Sequence, residues 1–127
     1  MPRHIPRVSP AVTGLIAMGG AAGASTRWAA LTLGPSTTFP WSVLLVNLAG
    51  CAILGVLVGR GVHHNARLLI GTGFCGGLTT FSTFTVEAAQ LMRTDHLGIA
   101  AAYLAASVVG GLVCFDRARA LTAEAPT

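Results

Sequence analysis

The residues best placed to do chemistry form a short run in which hydroxyls and phenylalanines alternate inside apolar sequence: Thr80-Phe81-Ser82-Thr83-Phe84. On a helix, the two rings lie on the same side, because they are three residues apart. An aromatic ring has a positive edge, so ring edges and hydroxyl donors together can stabilise an anion without a fixed cation. A path of such weak donors suits conduction, because a permeant ion must leave as easily as it enters. The alternative is that both rings face lipid or fill the core.

Glycines precede this run and a carboxylate follows it. The pair Gly76-Gly77 interrupts the helical pattern, and Glu87 lies further along, still in hydrophobic sequence. Non-helical backbone at membrane depth survives only where it is buried in protein or lines a cavity. We therefore predict a helix that is broken near Gly76–Thr79, and we expect the function to lie there.

Other apolar segments carry a few further hydrogen-bonding side chains. Asn47 is the one strongly polar residue of the second segment, and Cys51 and Gly55 follow it at four-residue spacing. Tyr103 and Ser107 are one turn apart in the last segment, so they share a helix face. An amide in hydrocarbon is costly unless it is hydrogen-bonded. Asn47 is therefore either a donor to a ligand or a packing residue that joins two helices.

The composition indicates an integral membrane protein. The chain is 53% hydrophobic and only 9% charged, with a mean hydropathy of +0.69, whereas soluble domains are about 25% charged. Four apolar segments, at residues 11–33, 41–59, 68–92 and 97–115, predict one all-α domain of four transmembrane helices. Residues from Asp116 onward are predicted to form a soluble tail. A signal peptide cleaved after Ala22-Gly23-Ala24 is the rival interpretation of the first segment, but the apolar pattern continues past that point.

Small residues four apart predict where helices pack. Gly19 and Gly23 form one such pair in the first segment, and Gly55 and Gly59 form another in the second. Arg27 lies near the far end of the first segment. Its side chain either extends to the lipid headgroups or faces a water-filled vestibule or a carboxylate.

All eight basic residues are arginines, and their distribution predicts cytoplasmic termini. In that orientation Arg93 is plainly outside and Arg27 lies toward the outer end. The cytoplasmic side then holds Arg3, Arg7, Arg60, Arg67, Arg117 and Arg119.

Enzyme chemistry is not indicated by the sequence. There is no serine with a His/Asp pair and no phosphate-binding P-loop lysine, and the three cysteines lie in separate apolar runs without metal-ligand spacing. The formal charge of +4 fits loops that face anionic lipid better than a nucleic-acid surface.

The run from Gly73 to Phe84, GFCGGLTTFSTF, resembles the signature of the CrcB/Fluc fluoride channel family. Two shorter matches support it: glycines from Gly19 onward with a following Arg27-Trp28, and the stretch VNLAG that begins at Val46. The resemblance extends from Thr13 to Phe115 and includes the order of the four spans.

The resemblance implies a passive fluoride exporter of the prokaryotic inner membrane. Two subunits would assemble antiparallel, with two narrow pores at their interface. Phe81 and Phe84 would line a pore with edge-on rings and Asn47 would donate its amide to fluoride. Tyr103 and Ser107 would continue a polar track on the fourth helix, beside the hydroxyls of Thr80, Ser82 and Thr83.

The resemblance also implies a structural sodium ion at the dimer centre, held by the carbonyls of Gly76 and Thr79. Glu87 would be a buried polar partner near the track, and Arg27 would give polar support.

Two features depart from the family pattern. Many members carry another hydroxyl one turn beyond Ser107, where this chain has Gly110-Gly111. Members that insert in both orientations show little arginine bias, whereas the bias here is strong, so this chain is a candidate for one half of a heterodimer with an oppositely oriented paralogue.

Two alternatives from other classes remain. One is a small four-helix multidrug antiporter, although that class depends on a glutamate in its first helix, where this chain has Arg27. The other is a non-conducting accessory subunit that packs through its small-residue faces.

Overall fold

Helices account for most of the chain, as the apolar segments predict. We describe a computed structural model that covers residues 8–123, so Arg3 and Arg7 lie outside the described residues. The described part contains helices and turns without strands. Its helices are α1 (Pro10–Leu33), α2 (Trp41–Gly59), α3 (residues 64–78), α4 (Phe81–Arg93) and α5 (Leu97–Thr122).

The winding of α3 changes along its length. It is α-helical over His64–Ala66, π-helical over Arg67–Cys75 and α-helical again over Gly76–Leu78. A π-helical turn holds more residues than an α-helical turn, is rare, and is frequent at functional sites.

The backbones of α1 and α3 run parallel and touch. A methyl group on Gly19 or Gly23 would overlap the backbone of α3, and one on Gly73 or Gly77 would meet the backbone of α1. Such close approach is how helices associate where no water drives them together. The helix contact predicted for Gly19 and Gly23 is confirmed.

A second parallel pair is formed by α2 and α5. A Cβ on Gly55 would overlap the carbonyl of Phe115, and one on Gly59 would overlap the Thr122 side chain. The predicted helix contact of Gly55 and Gly59 is therefore also confirmed. This packing continues α5 as a helix to Thr122, so the prediction of a tail from Asp116 onward is wrong for residues 116–122.

Within residues 8–123, two helices are long and apolar enough to cross a membrane, α2 and α5. The helices α2 and α5 end side by side, and α3 begins soon after α2 ends. The arginines near these three helix termini therefore lie together at one end of the bundle. Arg93, at the end of α4, lies at the opposite end. The arginine-rich end carries Arg60, Arg67, Arg117 and Arg119.

The buried apolar core lies near the Arg93 end, between α2, α4 and α5. At its centre Tyr103 is completely buried, and the ring of Phe39 meets the Tyr103 ring edge-on at 5.8 Å. The remaining buried members of this cluster are Val43, Leu44, Ala88, Leu91 and Ala100.

The α1–α3 contact predicts that Gly23→Ala destabilises the protein. The added Cβ would lie 2.8 Å from the Leu78 amide nitrogen and would overlap the Phe74 carbonyl, so we expect a loss of about 1–3 kcal/mol. The measurement is thermal unfolding in detergent. Gly14→Ala is the matched control on the same helix, because nothing lies within 4 Å of its new Cβ, and it should be neutral or mildly stabilising. Equal melting temperatures for the two variants would contradict the close α1–α3 contact.

Candidate functional site

Two extended residues separate α3 from α4. Thr79 has φ −79° and ψ 153°, and Thr80 has φ −144° and ψ 121°. The Thr80 side chain caps α4, because its Oγ1 accepts a hydrogen bond from the Thr83 amide at 3.2 Å. The other backbone N–H and C=O groups of these two residues also need hydrogen-bond partners, because they lie in an apolar bundle.

Asn47 of α2 pairs with the backbone of Thr80 on both sides. The Thr80 amide donates to Asn47 Oδ1 at 2.8 Å, and Asn47 Nδ2 donates to the Thr80 carbonyl at 3.2 Å. In an uninterrupted α-helix the Thr80 amide would instead bond the carbonyl of Gly76, four residues earlier. The amide of one side chain thus replaces helical bonds at the interruption.

Arg27 of α1 supplies the partner for Thr79. Its Nη1 donates to the Thr79 carbonyl at 2.9 Å. The sequence offered the lipid headgroups, a vestibule or a carboxylate as partners for this guanidinium, and the structure gives it a backbone carbonyl. A charged donor makes a stronger hydrogen bond than a neutral one, so Arg27 fixes the position of the extended segment.

Beside the interruption lies an open groove of about 600 Å³, which contains most of the predicted pathway residues. Phe81 is 77% exposed and Phe84 is half-buried, and their ring centroids are 6.0 Å apart with the planes tilted by 41°. Charged residues are missing from the described lining of this groove. Its hydrogen-bonding side chains are those of Asn47, Thr72, Thr79, Thr80 and Ser107.

Ser107 is distinctive among the groove residues. Its Oγ is the one buried side-chain oxygen or nitrogen within residues 8–123 that has no hydrogen-bond partner. A buried hydroxyl without a partner costs free energy. Because Ser107 also lines the groove, its hydroxyl is the one groove donor in residues 8–123 that is buried without a partner.

The remaining predicted residues do not line this groove. Tyr103 donates its hydroxyl to Glu87 Oε2 at 3.0 Å, and its ring lies 5.3 Å from that of Phe84. Thr83 and Glu87 line a separate cavity of about 810 Å³ at the α1–α2 turn. Ser82 is exposed, with its Oγ 3.3 Å from that of Thr80.

A pair of hydroxyls connects the two cavities. Thr80 lines the groove and Thr83 lines the cavity at the α1–α2 turn, and Thr80 Oγ1 donates to Thr83 Oγ1 at 3.0 Å. Polar side chains therefore continue from the groove toward Glu87.

The backbone at the interruption can also offer oxygen to a cation. The Thr80 amide is bonded to Asn47, which leaves the Gly76 carbonyl without its usual helical donor, and a Cβ on Gly76 would meet open space. The Thr79 carbonyl accepts one hydrogen bond from Arg27 and keeps a second lone pair. Unwound helix carbonyls are ligands for sodium in membrane proteins, but the Arg27 guanidinium at the Thr79 oxygen places a positive charge beside such an ion. The sodium site at Gly76 and Thr79 therefore stays a prediction.

Sequence reasoning missed how Arg27 and Asn47 hold the interruption. The signal was present, because each is an isolated strongly polar residue in an apolar helix and must find a partner. The identity of the partner was hidden, since both bond to backbone rather than to a complementary side chain.

Long apolar helices around a mostly apolar groove that holds a few hydroxyl and amide side chains are consistent with a membrane protein. The chain belongs to the CrcB family: residues 14–116 match the family model described as CrcB-like protein, Camphor Resistance (CrcB). The family membership predicted from the residues around Gly73–Phe84 is therefore confirmed, and the protein is a membrane protein.

Several proteins that are similar to this chain are named as fluoride-specific ion channels. A protein of Rhodococcus jostii named fluoride-specific ion channel FluC 2 is 48% identical over 99 residues, which cover 77% of this chain and 87% of that protein. The fluoride-specific ion channel FluC of Novosphingobium aromaticivorans is 40% identical over 109 residues, covering 79% and 86%. A Bacillus cereus protein named fluoride-specific ion channel FluC 2 is 41% identical over 102 residues, covering 78% and 86%. These names describe ion channels and not enzymes.

The Asn47–Thr80 pairing predicts that Asn47→Ala lowers stability. The substitution leaves the Thr80 amide and carbonyl without partners in an apolar setting, which costs about 1–3 kcal/mol for each unsatisfied group. Hydrogen exchange at the Thr80 amide, together with thermal unfolding in detergent, measures the effect. Leu45→Ala is the control on the same helix, because Leu45 is 58% exposed and outside the groove. Unchanged protection of the Thr80 amide in Asn47→Ala would show that Asn47 does not hold this segment.

Proposed function

We propose that the chain forms a fluoride-selective channel that lets fluoride leave the cytoplasm down its gradient and so lowers its toxicity. The observation that carries this proposal is the groove at the interruption. It combines two phenylalanine rings with a buried hydroxyl that lacks a partner, Ser107. A relative that is 48% identical is named a fluoride-specific ion channel, which supports the choice of ion.

The groove suits passage of a small, strongly hydrated anion. Such an ion must exchange its water for several donors at once. The groove offers the hydroxyl of Ser107 and the second amide hydrogen of Asn47, whereas the hydroxyl hydrogen of Thr80 is already donated to Thr83. The positive edges of Phe81 and Phe84 add stabilisation without a full charge. Since the described lining contains no charged side chain, the ion meets no deep electrostatic trap, which conduction requires.

We place the pore between two subunits. One face of the groove is open and Phe81 is 77% exposed, so a single chain cannot enclose an ion. A second subunit of the same family, packed antiparallel against this face, would close the groove and give two pores per dimer. Tyr103, Thr83, Ser82 and Glu87 would then extend the polar track away from the phenylalanines.

The arginine distribution bears on orientation and on the choice of partner. In the proposed arrangement the chain is a multi-pass protein of the prokaryotic inner membrane, with its arginine-rich end and both termini in the cytoplasm. A chain whose arginines are so strongly biased to one end is suited to pair with a paralogue of opposite orientation. Full fluoride efflux from liposomes that contain this chain alone would contradict the heterodimer and leave the homodimer.

A structural sodium ion at the dimer centre belongs to the same proposal. The carbonyls of Gly76 and Thr79 would hold it, with the matching carbonyls of the second subunit. Arg27 and Asn47 contribute by fixing the backbone conformation that presents both oxygens. When bound, the ion would neutralise converging carbonyl dipoles and stabilise the interface.

Two other functions are less well supported. A multidrug antiporter of this size depends on a membrane-embedded acid in its first helix, and α1 (Pro10–Leu33) contains neither aspartate nor glutamate. An accessory subunit would account for the glycine contacts but not for the unpartnered Ser107 hydroxyl beside Phe81 and Phe84.

Phe81→Ile is predicted to reduce fluoride efflux to the leak of empty liposomes, because isoleucine keeps the bulk but lacks an aromatic edge. The measurement uses a fluoride-selective electrode on proteoliposomes, together with size-exclusion chromatography to check assembly. Val86→Ile is the control on the same helix, since Val86 is 55% exposed and lies outside the groove. Wild-type efflux through assembled Phe81→Ile would show that the pore lies elsewhere.

Sodium is predicted to bind with a stoichiometry of one ion per dimer. Equilibrium dialysis with radioactive sodium on purified dimer measures this directly, with potassium as the competitor. Because carbonyls alone supply the ligands, binding should be independent of pH wherever the protein stays folded. Sodium binding that is undetectable, or that potassium displaces at equal concentration, would contradict a sodium-specific site.

A further inference from the structure

The groove does not end at the predicted pathway residues. Toward the arginine-rich end of the bundle it runs into a smaller crevice of about 260 Å³, and the two share Leu54, Gly71 and Thr72 as lining residues. Arg67, at the start of the π-helical part of α3, lines this crevice. The continuous surface thus leads from a charged residue to the uncharged groove.

No acidic side chain of residues 8–123 forms an ion pair with Arg67. Within residues 8–123 the one ion pair joins Arg119 to Asp116, at 3.1 Å. Asp116 is also the one acidic residue described at this end of the bundle, so its charge is already engaged. The side chain of Arg67 is exposed and therefore retains a positive field at the crevice.

We infer that Arg67 attracts anions to the entrance of the pathway at the arginine-rich end of the bundle. This inference rests on the function proposed above. It draws fluoride into the crevice, where the exposed Thr72 hydroxyl is the first donor on the wall shared with the groove. Arg67 is thus a positioning residue that raises the local anion concentration, and the phenylalanines and Ser107 remain the pathway itself.

An exposed charge at a mouth differs from a buried charge in a pore. Water screens it, so it attracts anions without holding them, and clefts lined by one sign of charge raise local ion concentrations in this way. A single charge about 6 Å from the path, in a water-like dielectric, raises the anion concentration about threefold. The effect should depend on salt, because the screening length is about 30 Å at 0.01 M and about 3 Å at 1 M.

The experiment measures initial fluoride efflux from proteoliposomes of neutral lipid, in about 0.01 M and about 1 M potassium gluconate, two ionic strengths with very different screening. At low salt, Arg67→Gln should be about threefold slower than wild type, and at high salt the two should be equal. Arg67→Lys keeps the charge and should follow wild type at both ionic strengths. Arg117→Gln, an exposed arginine at the same end but outside both cavities, is the matched control and should also follow wild type.

Three results of this experiment would overturn the inference. They are equal efflux of Arg67→Gln and wild type at low salt, a defect that persists at high salt, and a defect that Arg67→Lys shares. A defect that appears only when anionic lipid is added would assign Arg67 to lipid headgroups instead and would overturn it as well. Absence of fluoride efflux from the wild type would instead refute the proposed function, so the two failures are distinguishable.

Discussion

The structure depends on hydrogen-bond partners for two backbone residues, Thr79 and Thr80, that leave the helix inside an apolar bundle. Unpaired peptide groups in hydrocarbon cost several kcal/mol each, so the extended residues between α3 and α4 need partners from elsewhere. Two other helices supply them: Arg27 of α1 bonds the Thr79 carbonyl and Asn47 of α2 bonds both sides of Thr80. These bonds let the chain turn Phe81 into the groove without leaving its backbone unsatisfied.

The glycine contacts bring those partners within reach. Gly23 lies one turn before Arg27 and lets α1 touch the backbone of α3, which places the guanidinium beside Thr79. Gly50 lies one turn after Asn47, and a Cβ there would overlap the Thr79 side chain. Small residues therefore do more than bring the helices together. They set the register in which the polar side chains meet the interruption.

Much of this arrangement could be predicted from the sequence. Composition predicts a helical membrane protein, and four-residue glycine spacing predicts a close helix contact in each of the first two segments, although not its partner or direction. The motif between Gly73 and Phe84 predicts the family. In each case the pattern reports a property of the segment itself, such as apolarity, small side chains or a characteristic order of residues.

The features that could not be predicted from the sequence depend on contacts with distant parts of the chain. The end of α5 could not be placed, because residues 116–122 are polar enough to form a tail and become helical by packing on Gly55 and Gly59. The partners of Arg27 and Asn47 could not be identified from sequence, because both are backbone groups on distant segments. The separation of Thr83 and Glu87 from the groove also depends on how α4 is rotated, and the extended residues before it determine that rotation.

The central claim is that this groove passes fluoride by means of weak donors and ring edges, with no fixed charge in its described lining. The most direct test loads proteoliposomes of the wild-type protein with equal fluoride and chloride, and follows both ions with selective electrodes after a potassium ionophore is added. The account predicts rapid efflux of fluoride while chloride stays at the leak of empty liposomes. Chloride that leaves as fast as fluoride, or fluoride that stays inside, would contradict it.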